Sequence, residues 1–228
     1  MTQKHHFSSF TLLGSCLAVA LVSAPLRADI LTVTGPNSVP QNAPPVILST
    51  PPPDVTDHCV SNQGQQGFNE KQEVTTTKAW SVDGGGTIPQ GTTYVNSHMI
   101  FLNAPDLPVI SLSHSNVVWT FDFPIIGVMS DSNGNFEAAS TPDFGAVGTN
   151  YTSFPTTCGS SAANDRVAPF PARGIEGADQ YSVLGNTLTL SLSVAQPGDW
   201  VRVLTRGRNV QVDIKPGSYP ASTSTATA

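Results

Sequence analysis

Five charged residues in the C-terminal third of the chain could perform catalysis or hold the fold together: Arg173, Glu176, Asp179, Asp199 and Arg202. Two carboxylates such as Glu176 and Asp179 could serve as the acid and base of a glycoside hydrolase, a mechanism that depends on their separation. Charges are scarce in this chain, and arginine binds carboxylates in a bidentate geometry. We therefore expect these five residues to form structural ion pairs with one another.

A second candidate site is a calcium loop. Asp131, Asn133, Asn135 and Glu137 offer oxygen ligands at alternating positions, as calcium prefers. The glycine, Gly134, stands at the fourth position of this loop, whereas an EF-hand has it at the sixth. A surface turn rich in Asn and Gly explains the same residues without a metal, so both interpretations stay open.

The tryptophans and histidines are a third group of candidates. Trp119 lies on the apolar side of a predicted strand and is expected in the core, whereas Trp80 and Trp200 stand near turns. These two could stack against a sugar ring, but core packing is the favoured interpretation. His98 and His114 each follow a serine, but no Gly-x-Ser-x-Gly motif accompanies them. We expect ordinary strand or turn histidines.

The first 28 residues are typical of a secretory signal peptide. A short polar start precedes an apolar run, and small residues lead to a cleavage site after Ala28. Leu13 to Cys16 loosely resembles a lipobox, but the apolar run continues beyond Cys16. No later stretch approaches 18 consecutive apolar residues, so no membrane span is expected in the mature chain, which is predicted to be secreted or otherwise extracytoplasmic.

Cleavage at this site changes the charge and the cysteine count. Removal of Lys4 and Arg27 changes the net charge from −6 to −8, which argues against nucleic acid and anionic lipid as partners. Two cysteines remain, Cys59 and Cys158, and export favours one disulfide between them. Two free thiols are the alternative.

The composition favours a β-rich fold. Only 11% of the residues are charged, and there are 24 Ser, 24 Thr, 19 Gly and 19 Pro. Coiled coils, helical bundles and nucleic-acid binders need more Lys, Arg or Glu. After the signal peptide we predict an N-terminal strand and proline-rich spacer over 29–58, a β domain over 59–206, and a short strand with a disordered Ser/Thr/Ala tail over 207–228.

The clearest element is a hairpin over 181–194. Gly185-Asn186 suits a tight turn, and Leu188, Leu190, Leu192 and Val194 alternate with Thr and Ser. No segment shows helical periodicity, and 130–173 reads as one long irregular loop. We therefore predict an all-β fold, an antiparallel, jelly-roll-like β-sandwich.

Several short segments of the sequence resemble those of a loose set of exported bacterial proteins that often carry PEP-CTERM sorting tails. The segments are Asn96–Phe101, Ile126–Val128, Arg173–Asp179, Gly185–Leu190 and Pro197–Val203. The resemblance implies export and a β-sandwich-like body, and it implies no reaction. Residues 212–220 resemble the start of a small β module of bacterial secreted proteins, and the sequence has no Pro-Glu-Pro motif.

These observations predict a secreted, non-catalytic β-sandwich with a surface, matrix or ligand-association role. Its partner would be a glycan or another component of the cell surface or matrix, with no cofactor other than calcium. The alternatives are a secreted hydrolase that acts through carboxylates near Glu176 and Asp179, and a calcium-stabilised carbohydrate-binding module.

Overall fold

A computed structural model describes residues 29–55, 62–104, 111–151, 174–195 and 198–207, together with the backbone of 224–225. Within these residues the chain folds into two five-stranded sheets that pack face to face, with a small two-stranded hairpin beside them. This architecture confirms the predicted all-β sandwich.

The first sheet is antiparallel throughout. Its spatial order is β1 (Ile30–Thr34), β7 (Leu112–Phe121), β10 (Thr187–Val194), β9 (Gln180–Leu184) and β12 (Ser224–Thr225). The predicted β9–β10 hairpin is present, and Gly185 in its turn has φ +62°, a conformation that favours glycine. Leu188 lies opposite Trp119, and both side chains are buried.

The second sheet is mixed. Its order is β2 (Val46–Ile47), β3 (Gln66–Asn69), β6 (Val95–Leu102), β11 (Asp199–Arg206) and β8 (Ile125–Met129). The β2–β3 pair is parallel, and the other pairs are antiparallel. All eight residues of β6 are buried, which shows that both faces of this sheet are covered.

One face of the second sheet packs against the first sheet around Trp119, Leu190 and Val203. The other face is covered by the β4–β5 hairpin and by α1, where β4 is Trp80–Val82, β5 is Gly86–Ile88 and α1 is Asn135–Phe144. A short 3-10 turn, Asp83–Gly85, connects the two hairpin strands. No helix in the described part of the chain is long and apolar enough to cross a membrane.

The proline-rich stretch departs from the predicted spacer because it packs on the sandwich. The backbone N–H of Val39 donates to Ser113 O at 2.8 Å, and that of Val46 donates to Gln65 O at 3.0 Å. Val55 is fully buried. Proline removes its own donor but leaves those of its neighbours, so the prolines restrict strand pairing to one or two residues without preventing it.

The predicted irregular loop contains α1, and the prediction is wrong over those ten residues. The helix has Pro142 inside it and lacks an apolar stripe, so a search for helical periodicity in the sequence does not detect it. Its first turn is stabilised by a residue that precedes the helix. The Asp131 carboxylate accepts hydrogen bonds from the backbone N–H groups of Asn135 at 3.1 Å and Phe136 at 2.7 Å.

Candidate functional site

A cleft of about 560 Å³ lies beside the β4–β5 hairpin. Its walls are formed by residues 81–87 of the hairpin, by residues 130–132 with Phe136, and by residues 175–177 with Tyr181. The three walls therefore come from the β4–β5 hairpin, from the segment between β8 and the start of α1, and from the start of β9. This volume is in the range of about 300–1,000 Å³ that is usual for ligand sites.

Asp83 joins the walls of this cleft. Its carboxylate accepts hydrogen bonds from Ser130 N at 3.0 Å, Ser130 Oγ at 2.5 Å and Tyr181 Oη at 3.0 Å. Burial raises the pKa of Asp83 in spite of these donors, and the negative charge of Asp131 raises it further. The half-buried Asp83 side chain thus links the hairpin to the end of β8 and to the Tyr181 phenol of β9.

Among the described residues, two aromatic side chains line the cleft. Tyr181 and Phe136 are each half-buried, so part of each ring faces the open space. The hydrogen bond to Asp83 fixes the Tyr181 phenol, and Phe136 packs beside the apolar cluster under the hairpin. An aromatic ring held in this way offers an apolar face next to polar groups.

The predicted calcium ligands are used in other ways. Asp131 supports the start of α1 and also accepts from the side-chain amide of Asn135 at 3.2 Å, while Asn133 is exposed. Glu137 is fully buried, and neither of its carboxylate oxygens has a hydrogen-bond partner. Burial raises the pKa of Glu137 well above its ordinary value, which favours the protonated acid. Among the described residues no cluster of three His, Cys, Asp or Glu could hold a metal.

Arg202 forms its ion pair with Glu70, a residue that no pattern in the sequence singles out. The guanidinium binds both oxygens of this carboxylate, at 2.7 Å through Nε and 2.9 Å through Nη2, and both side chains are fully buried. The prediction that Arg202 pairs with Asp199, Glu176 or Asp179 is wrong. Strand alternation gives the reason, because Asp199 and Arg202 are three residues apart on β11 and face opposite sides of the sheet.

Arg202 also holds α1 against the second sheet. Its Nη1 donates to Glu137 O and to Ser140 Oγ, both at 2.7 Å, and Nη2 donates to Thr141 Oγ1 at 3.2 Å. On the other side Glu70 accepts from Ser97 Oγ and Tyr151 Oη, each at 2.6 Å. All polar side-chain atoms of Arg202 and Glu70 therefore have hydrogen-bond partners inside the protein, so the role of this pair is structural.

The two carboxylates proposed for hydrolysis differ in their exposure. Glu176 is exposed on the rim of the cleft, whereas Asp179 is buried and outside its lining. Asp179 accepts from the backbone N–H groups of Glu176 at 3.1 Å and Ser193 at 2.6 Å, and it shares a hydrogen bond with the Asp199 side chain. Burial raises the pKa of Asp179. Arg173 lies outside the described residues.

Trp80 and Trp200 are core residues, as the favoured interpretation of the sequence expects, and the alternative in which they stack against a sugar is not supported. Trp80 is 5% exposed and donates to Asp143 Oδ2 at 3.0 Å; Trp200 is fully buried and donates to Asn103 Oδ1 at 3.2 Å. Both stand on the alternate side of their strands, which faces the cluster under α1 and the hairpin instead of solvent. The aromatic residues of the cleft, Tyr181 and Phe136, could not be singled out from their spacing.

His98 and His114 are buried and structural. His98 packs against Phe121, and its ring nitrogens lie 2.8 Å from Asn69 Oδ1 and 3.1 Å from Thr205 Oγ1. Burial lowers the pKa of His98 to about 3 and also lowers that of His114, so both are neutral at pH 7. The predicted disulfide partners, Cys59 and Cys158, lie outside the described residues.

The fold and the cleft together define a β-sandwich with a preformed pocket at the start of β9. No protein-family model matches the chain, no curated protein matches it significantly in sequence, and no solved structure matches it. The resemblance to exported bacterial proteins therefore stays a prediction.

Proposed function

We propose that the protein is an exported, non-catalytic β-sandwich that binds a glycan in the cleft beside the β4–β5 hairpin. The observation that carries this proposal is the cleft itself, in which two partly exposed aromatic rings stand beside carboxylate and hydroxyl groups. The apolar face of a sugar ring packs on an aromatic side chain, while its hydroxyl groups donate to carboxylates and exchange hydrogen bonds with hydroxyls.

The polar groups available to a ligand lie on the rim of the cleft. Ser81, Thr87, Ser132 and Glu176 are exposed lining residues, and none of their side chains makes a hydrogen bond within the described residues. Asp83 and Asp131 are engaged by internal donors and hold the walls. Exposed polar side chains on walls that internal hydrogen bonds hold in place are the arrangement that a preformed ligand site needs.

A binding assay with aromatic variants tests the proposal. Purified full-length chain is titrated with soluble oligosaccharides from neutral polysaccharides and sedimented with the insoluble polymers. Tyr181→Ala should weaken binding by about tenfold or more, because loss of one packed aromatic contact costs of order 1 kcal/mol beyond its apolar area. Tyr94→Ala is the matched control, since Tyr94 is 39% exposed outside the cleft. Equal binding by both variants would refute the assignment of this site.

Hydrolysis is the second candidate, supported by a specific observation. Burial raises the pKa of both Asp83 and Glu176, two carboxylic acids that line the same cleft. The oligosaccharides from the binding assay are therefore also examined for new reducing ends. Release that is lost in Glu176→Gln would replace the non-catalytic proposal with a glycoside hydrolase.

Export is part of the same proposal and has its own test. The pattern of residues 1–28 supports it, and these residues lie outside the described part of the chain. Expression of the full chain in a bacterial host, followed by N-terminal sequencing of the extracytoplasmic fraction, should give a protein that begins at Asp29. Retention of the intact N-terminus in the cytoplasm would contradict it.

A further inference from the structure

The lining of the cleft combines aromatic rings with an excess of negative charge. Asp83, Asp131 and Glu176 line it, and none of the described lining residues is Lys, Arg or His. A cavity lined by one sign of charge attracts ligands of the opposite sign and repels those of the same sign. The faces of Tyr181 and Phe136 attract cations as well, because the π-system of an aromatic ring is negative above its plane.

The three carboxylates differ in how far they are available. Asp83 is bound by Ser130 and Tyr181, and Asp131 is bound by the first turn of α1. The Glu176 carboxylate is exposed on the rim and accepts no hydrogen bond from the described residues. Burial raises the pKa of Glu176, and repulsion from the nearby carboxyl of Asp179 raises it further. A cation bound at Glu176 would also offset this repulsion.

We propose that the cleft selects glycans that carry free amino groups, with Glu176 binding the ammonium and Tyr181 lying against the same sugar. This inference rests on the proposed glycan-binding function and names its ligand class. An ammonium supplies three donors to a carboxylate that has no described donor of its own. Uronic acids and sulfated sugars would bring a negative charge into a cleft without a described basic residue.

Matched oligosaccharides separate the charge from the sugar. We would measure, by calorimetry at pH 7, the affinity for a glucosamine hexamer, for the same hexamer fully N-acetylated, and for a galacturonate hexamer. The glucosamine hexamer should bind about 3- to 30-fold more tightly than its N-acetylated form, from one exposed ion pair and one cation–π contact. The advantage should shrink as salt increases from 20 to 500 mM, and the galacturonate should not bind.

Variants assign the effect to the cleft. Glu176→Gln should remove most of the preference for glucosamine while binding of the N-acetylated hexamer persists. Glu73→Gln is the matched control, because Glu73 is exposed and outside the cleft lining. This variant should keep the full preference, since it removes the same charge from the chain at another place.

The two proposals fail in different ways. If both hexamers bind with equal affinity and Glu176→Gln changes neither, the charge preference is refuted and glycan binding stands. If the galacturonate binds best, the assignment of the ligand class is also refuted. If none of the three binds, while neutral polysaccharides also fail, the glycan-binding proposal itself is overturned together with this inference.

Discussion

Replacing Arg202 with methionine should be among the most destabilising single changes in this protein. The substitution keeps a long side chain and removes the positive charge from a fully buried position. It deletes two hydrogen bonds to Glu70 and three to α1, namely those to Glu137 O, Ser140 Oγ and Thr141 Oγ1. The Glu70 carboxylate then stays buried with Ser97 and Tyr151 as its remaining donors.

The size of the effect follows from the stranded charge. Breaking a buried pair by removing one partner costs about 3–5 kcal/mol, because the remaining ion is kept from water and has lost its opposite charge. That is a large part of the 5–15 kcal/mol that is typical of a whole domain. Arg202→Met combined with Glu70→Leu should recover much of the loss, since replacement of both ions by apolar groups of similar volume is often neutral.

Urea denaturation followed by tryptophan fluorescence measures these differences, because Trp119 and Trp200 are fully buried in the folded chain. Lys71→Met is the control: its ammonium donates one exposed hydrogen bond, to Pro142 O at 2.7 Å, and its loss should cost less than about 1 kcal/mol. A cost below 1 kcal/mol for Arg202→Met, or a double variant less stable than the single one, would refute this reasoning.

Three further changes test the core and its titration. Burial lowers the pKa of His98 to about 3, so below pH 6.5 the unfolded chain binds a proton that the folded chain does not. The free energy of unfolding should therefore fall by about 1.4 kcal/mol per pH unit. In urea titrations from pH 7 to 5, His98→Asn should show a weaker dependence of this free energy on pH. Glu137 has the opposite effect on the pH dependence of stability, because burial raises its pKa and the folded chain then binds its proton more tightly than the unfolded chain does. Glu137→Gln should therefore raise the melting temperature at pH 8 more than at pH 5. An equal shift at both pH values would contradict this prediction. Gly67→Ala would place a Cβ 2.6 Å from the Trp119 ring, and a loss of about 1–3 kcal/mol in the free energy of unfolding is expected, whereas an unchanged midpoint would show that the ring can move.

The strands could be predicted because their signals are local. In β10 the buried leucines alternate with Thr and Ser along the whole strand, and Gly185-Asn186 marks the turn before it. Helix α1 could not be predicted because its stability is not local. Asp131 caps it and Arg202 binds it, and the arginine is more than 60 residues away along the chain.

The site was less predictable than the fold. Asp83 and Tyr181 are 98 residues apart in sequence, and their hydrogen bond depends on how the β4–β5 hairpin packs in the folded chain. The sequence predicts a site at Glu176, and this residue does line the cleft, whereas its expected partner Asp179 is buried and outside the lining. Strand parity could have excluded the pairing of Asp199 with Arg202, since three residues along a strand reverse the face.

Polar hubs hold the walls of the cleft in addition to apolar packing, and this affects how the cleft would bind a ligand. Asp83 fixes Tyr181 and the end of β8, while Arg202 fixes the helix that carries Phe136. Buried hydrogen-bond networks that are fully satisfied hold a single geometry, so the walls should keep their positions before and after binding. A preformed site avoids the cost of ordering side chains on association. Variants that loosen Asp83 should therefore weaken binding through this added ordering cost, even where the ring of Tyr181 is still present.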